Sequence, residues 1–125
     1  MNAQPILEFL SSRPALSIRA LAKACNFNPN QWYDFTAGHK PNFPDQHTWA
    51  LACELCRYGL EIDGWRFTYD AETGSLFIEK PVGEPAEVIE HENEGGTRSR
   101  FEYRVPMSRD VITGPADLAG FLDGF

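Results

Sequence analysis

The sequence predicts an α+β protein: four short helices, then two β-hairpins, then one short C-terminal helix. Three observations carry this. Up to residue 59 the apolar side chains recur at helical spacing, interrupted by Pro, Asn and Gly. Beyond it, β-forming residues cluster around turn signals such as Asp70-Ala-Glu-Thr-Gly74 and Gly95-Gly96. The third is charge: residues 1–60 hold five basic and four acidic side chains, whereas residues 61–125 hold six and 14. A charge break of this size marks two modules with different partners. We place them at residues 1–60 and 61–125.

Each helix has its own start and stop. Pro5 opens the first, over residues 5–12, with Ile6, Leu7, Phe9 and Leu10 on one side. Arg13-Pro14 ends it, because a residue before proline avoids helical backbone. Ser17 is a good N-cap for the second, in which Ile18, Leu21, Ala22 and Cys25 form one stripe. Asn26 tolerates the left-handed conformation that closes a helix. Asn28 caps the third helix, Pro29 opens it, Trp32 and Phe35 face inward, and Gly38 stops it. Tyr33 lies near the border, with partial burial expected. A loop with two prolines follows at 39–44. Asp45 is expected to cap a fourth helix, Gln46–Tyr58, lined by Trp49, Ala52, Cys53, Leu55 and Cys56 and ended by Gly59.

Strands come next. Trp65–Tyr69 and Leu76–Glu79 make the first expected hairpin. Residues 81–85, PVGEP, are a stiff connector. Glu87–His91 and Arg100–Val105 make the second, around Gly95-Gly96. Glu90, Glu92 and Glu94 against Arg98, Arg100 and Arg104 point to cross-strand ion pairs on a wet face. Gly114–Leu122 is the terminal helix, docking through Leu118, Phe121 and Leu122.

Several classes fall away. Hydrophobic content of 42%, with nine Phe, is enough for a packed core and rules out a disordered chain. No apolar run approaches the roughly 20 residues that cross a bilayer, and MNAQPILEF lacks the pattern of a signal peptide. A cytoplasmic protein away from membranes is expected. Three cysteines, Cys25, Cys53 and Cys56, argue against a disulfide framework and read as small buried hydrophobes. Cys53-Glu-Leu-Cys56 is a lone CxxC; zinc would need two more ligands, with only His39 and His47 nearby. No metal or cofactor is expected. Catalytic signatures are missing: there is no nucleophile elbow, phosphate-binding loop or HExxH. The serines, histidines and carboxylates show no spacing that implies a site, so an enzyme is not expected.

What remains is the corner at SIRALAKACNFNPNQWYDFTAG, Ser17 to Gly38. A short helix, a turn of a few residues and a second helix opened by Asn-Pro is the helix-turn-helix layout. In that layout the first helix crosses the nucleic-acid backbone and the second enters the major groove. Asn28, Asn30, Gln31 and Asp34 point outward. Asn and Gln can pair bidentately with adenine, and Asp can accept from cytosine.

The stretch resembles the Cro/C1 (lambda-repressor-like) family of helix-turn-helix domains. Leu21-Ala22, Phe27, Asn28, Trp32, Phe35, Gly38, Lys40 and Pro41 match that family's pattern in order, and a further helix follows where the family has one. The resemblance covers about residues 5–60. It implies a transcriptional regulator that binds duplex DNA. Asn28, Asn30, Gln31 and Asp34 would meet base edges, and Ser17, Arg19, His39 and Lys40 would meet phosphates. It also implies a homodimer, since such domains gain affinity and half-site spacing by pairing; only residues 61–125 leave room for the pairing device. A second reading stands beside it. The third helix has no Arg or Lys and carries Asp34. A protein-interaction module, inhibitor or adaptor, would need no DNA, and its acidic C-terminal half would bind a basic protein partner.

Overall fold

The computed structural model describes residues 1–82, 87–92, 98–104 and 106–125, with side chains described outside 83–105. Among the described residues the protein is α+β, with five α-helices and a four-stranded antiparallel sheet. The helices are α1 (Gln4–Ser11), α2 (Ile18–Cys25), α3 (Pro29–Thr36), α4 (Asp45–Leu55) and α5 (Pro115–Leu122). The strands are β1 (Glu61–Ile62), β2 (Trp65–Asp70), β3 (Ser75–Pro81), β4 (Glu87–Glu92), β5 (Arg98–Arg104) and β6 (Met107–Ile112).

Local chemistry sets the boundaries. Ser17 Oγ accepts from the Ala20 amide at 3.3 Å, and Asn28 Oδ1 accepts from the Asn30 amide at 2.9 Å, so both expected N-caps are made. Asn26 adopts φ 59° and closes α2. The fourth helix differs from expectation at both ends. Pro44 is its N-cap, its carbonyl accepting from the Thr48 amide and hydroxyl, both at 2.9 Å. Asp45 therefore sits in the first turn, where its charge suits the helix dipole. At the other end Cys56–Tyr58 tighten into a 3-10 turn, and Gly59 at φ 77° lets the Leu60 amide reach back to the Leu55 carbonyl at 3.2 Å.

The first expected hairpin is present: β2 pairs antiparallel with β3, Phe67 opposite Ile78 and Thr68 opposite Phe77. The sheet is larger than this hairpin. Its order is β1-β2-β3-β6, with both edge strands unforeseen. β1 is two residues long, and β6 reads MSRDVI, with two adjacent charges at its centre hiding the strand. β4 and β5 pair as a separate two-stranded ladder, Glu87 opposite Arg104 and Glu92 opposite Arg98. The ion pairs expected there, the Gly95-Gly96 turn and most of the 81–85 connector lie outside the described residues.

One buried cluster joins the helices to the sheet. It runs from Ala3, Ile6 and Phe9 through Leu21, Trp32, Phe43, Leu51 and Leu55 to Leu60, Phe67, Leu76 and Ile78, ending in Leu118 and Leu122. The boundary placed at residue 60 falls inside it. α5 is the wedge: it packs against α4, and Phe121 sets its ring edge-on to Phe67 at 5.7 Å and to Trp65 at 6.0 Å. Its start is held by Asp117, whose carboxylate accepts from the Thr113 amide at 3.0 Å and from the Thr113 hydroxyl. Those bonds, the hydroxyl's first, hold the carboxyl below its ordinary pKa.

Candidate nucleic-acid interface

The corner between α2 and α3 is built from three residues. Asn26 takes the left-handed turn. The Phe27 amide then donates to the Ala22 carbonyl at 3.0 Å, and the Asn26 amide to Lys23 at 3.4 Å. This double closure drives the Phe27 ring into the core, where it is buried. Asn28 resumes extended backbone, φ −76° and ψ 122°, and caps α3. The far end of α3 repeats the device. Gly38 sits at φ 81°, and the Phe35 carbonyl receives the Gly38 amide at 3.2 Å. The Asp34 carbonyl receives His39 and Lys40 at 2.9 and 3.3 Å.

α3 is held from behind by aromatic rings. Trp32 is buried, with its ring 5.5 Å from Phe35 and edge-on to Phe43 at 5.0 Å. Phe27 meets Phe43 edge-on at 5.2 Å, and His47 stacks near both, at 5.4 and 6.0 Å. Phe43 is almost wholly buried although it lies in the loop between two prolines. Helical periodicity could not find it; an aromatic residue bracketed by Pro41 and Pro44 was the available signal.

The front of α3 is polar. Asn30, Gln31 and Asp34 are exposed; at 100° per residue Asn30 and Asp34 lie together opposite Trp32, and Gln31 sits at the border beside Phe35. Asn28 is exposed at the helix start, but its Oδ1 serves the cap, which leaves the amide NH2 for a ligand. Tyr33 is exposed, not partly buried, because its position lies outside the aromatic cluster. Ser17 and Arg19 are exposed at the start of α2, and His39 and Lys40 are exposed just past the end of α3. The Ser17 hydroxyl is occupied as a cap acceptor, with its proton still available to donate. None of the eight side chains is buried. Asp34 is the one charged group within the α3 span itself.

The cysteines are half-buried, short of the full burial expected. Cys25 and Cys53 line an open groove of about 460 Å³ with Trp49, Ala50 and Tyr69, between α2, α4 and the hairpin tip. The Cys25 thiol donates to the Ala50 carbonyl at 3.4 Å, and the Cys56 thiol to Ala52 at 3.3 Å. Burial first, then neighbouring negative charge, pushes Cys25 and Cys53 up to about 11 and Cys56 to about 12. These are poor nucleophiles. Among the described residues no three His, Cys, Asp or Glu side chains gather as a metal site. No described helix is long and apolar enough to cross a membrane.

No family model matches the chain, and neither a curated protein nor a solved structure matches it. The functional reading therefore rests on the geometry above.

Proposed function

We propose that the protein is a small DNA-binding transcriptional regulator in which α2 and α3 act as a helix-turn-helix of the lambda-repressor-like kind. One observation carries this: two capped eight-residue helices meet at a left-handed corner, and the second presents Asn30, Gln31 and Asp34 to solvent over an aromatic backing. In this reading α3 enters the major groove, Asn28, Asn30, Gln31 and Asp34 meet base edges, and Ser17, Arg19, His39 and Lys40 anchor phosphates. Residues 61–125 supply self-association or a partner site.

The test uses the full chain with random duplex DNA at two salt concentrations. Salt-weakened retention supports the reading. Loss of sequence preference in Asn30→Ala/Gln31→Ala, with binding kept, assigns those positions.

A second reading has its own support. Phosphate would repel Asp34, and no cation stands on α3. An interaction module that captures a basic protein through its acidic C-terminal half fits these facts. Absence of DNA retention at low salt, together with binding to a basic partner, selects it.

A further inference from the structure

Among the described residues the sheet has a covered face and an open one. Phe67, Leu76, Ile78 and Ile112 point into the core. On the opposite face the β3–β6 register sets three pairs side by side: Phe77 with Val111, Glu79 with Arg109, and Pro81 with Met107. The middle pair is ionic, Arg109 Nε lying 3.3 Å from Glu79 Oε1. The same guanidinium covers the Phe77 ring, 4.5 Å from its centroid. The flanking pairs are apolar. Met107 and Val111, at 52% and 49%, are the two most exposed large apolar side chains among the described residues. Exposed apolar side chains gathered on one sheet face mark a candidate contact surface, and the charged pair between them sets what a partner must match.

We propose that this β3–β6 face pairs with a second copy of the chain, face to face, about a two-fold axis running along the strands between β3 and β6. Charge complementarity selects the occupant and the axis. That rotation lays β3 of each copy over β6 of the other. Phe77 then meets the second copy's Val111, Pro81 meets its Met107, and Glu79 meets its Arg109. A two-fold across the strands would instead set Glu79 on Glu79 and Arg109 on Arg109. The edge of β6 is the poorer route. Symmetric pairing about its centre puts Arg109 opposite Arg109 or Asp110 opposite Asp110, and like charges directly opposite destabilise a ladder.

The proposal rests on the self-association half of the function proposed above and is independent of the DNA half. Three pairs are few beside the roughly 20–30 residues a side of a standard interface. The isolated dimer is therefore weak, and two copies held on one duplex would reinforce it.

Sedimentation equilibrium of the full chain, from micromolar to millimolar, tests this. The wild type should move from the one-chain towards the two-chain mass. Val111→Lys and Arg109→Glu should each weaken association by about tenfold or more. Adding Glu79→Arg to Arg109→Glu should restore it to within about threefold. These side chains face solvent, and thermal melting of each variant checks that the fold is kept. A wild type that stays monomeric throughout overturns the proposal. So does a dimer that neither single variant weakens, or a swap that restores nothing. DNA does not enter the assay, so its failure leaves the DNA reading standing, and failure of DNA retention leaves the assay valid.

Discussion

The Phe27 amide donates to the Ala22 carbonyl across a left-handed Asn26, and this one bond fixes where α2 stops and how the chain turns into α3. Asn holds that conformation at some strain, which Gly lacks and most residues exceed. Asn26→Gly should leave stability unchanged or raised by up to about 1 kcal/mol, whereas Asn26→Val should cost about 1–2 kcal/mol. Urea unfolding of the three chains checks the order.

Phe43 should count as a core residue despite its loop address. It touches the rings of Phe27, Trp32 and Phe35 and is almost fully buried. Phe43→Ala should destabilise by about 3–5 kcal/mol, the range of a buried aromatic truncation. A cost below about 1 kcal/mol would mean that the loop does not brace α3.

The thiols give a pH test. A thiol raised from 9.0 to about 11 in the folded chain, as at Cys25 and Cys53, stays neutral where the unfolded chain ionises. Stability is then fully present below pH 9.0 and declines as pH rises towards about 11. Alkylation by iodoacetamide at pH 8 should be at least about tenfold slower in the native chain than in urea. Equal rates would show that the groove does not shield the thiolates.

Asp117 works in the opposite direction. Its depressed pKa means that the Thr113 bonds stabilise the start of α5 above the ordinary carboxylate range and are lost on acidification. Asp117→Asn should flatten the acid limb of the stability profile. An unchanged limb in thermal melts between pH 6 and 3 (about the span of a carboxylate titration) would sink this assignment.

Asp34 decides between the two functional readings. If α3 enters DNA, Asp34→Asn removes a phosphate-repelling charge and should tighten non-specific duplex binding by a few fold while altering the preferred base at one position. If α3 does not, the substitution leaves duplex retention where it was. Electrophoretic shift at low salt separates the outcomes.

Much of the fold is legible along the chain because its signals are local. Ser17, Asn28, Pro29, Gly38 and Gly59 each act within a turn of their own position, and the boundaries they mark are close to those observed. What escapes is set by distant partners. α4 packs against both α2 and α5, so the burial of Thr48 and Leu51 does not follow from a stripe in α4 itself, whose apolar residues lie nearly all round. β6 becomes a strand because β3 offers it a ladder; Arg109-Asp110 alone argues against one. The candidate interface is legible for the same reason as the helices, since exposure on α3 follows from its period. Its ligand is not legible, because Asn and Gln are equally at home on a solvated surface.

The Asn2 amide reaches the Asp123 carboxylate at 2.9 Å, and α5 lies wedged between α4 and the sheet. The order of synthesis therefore opposes the order of need. While the chain is being made, the surfaces of α4, Trp65 and Phe67 wait uncovered until residues 115–122 emerge. A message truncated near residue 114 would yield a product with α1–α4 and β1–β6 but an open apolar seam, which proteases and chaperones would meet before any partner did. Closure of this core is registered by one short helix, α5.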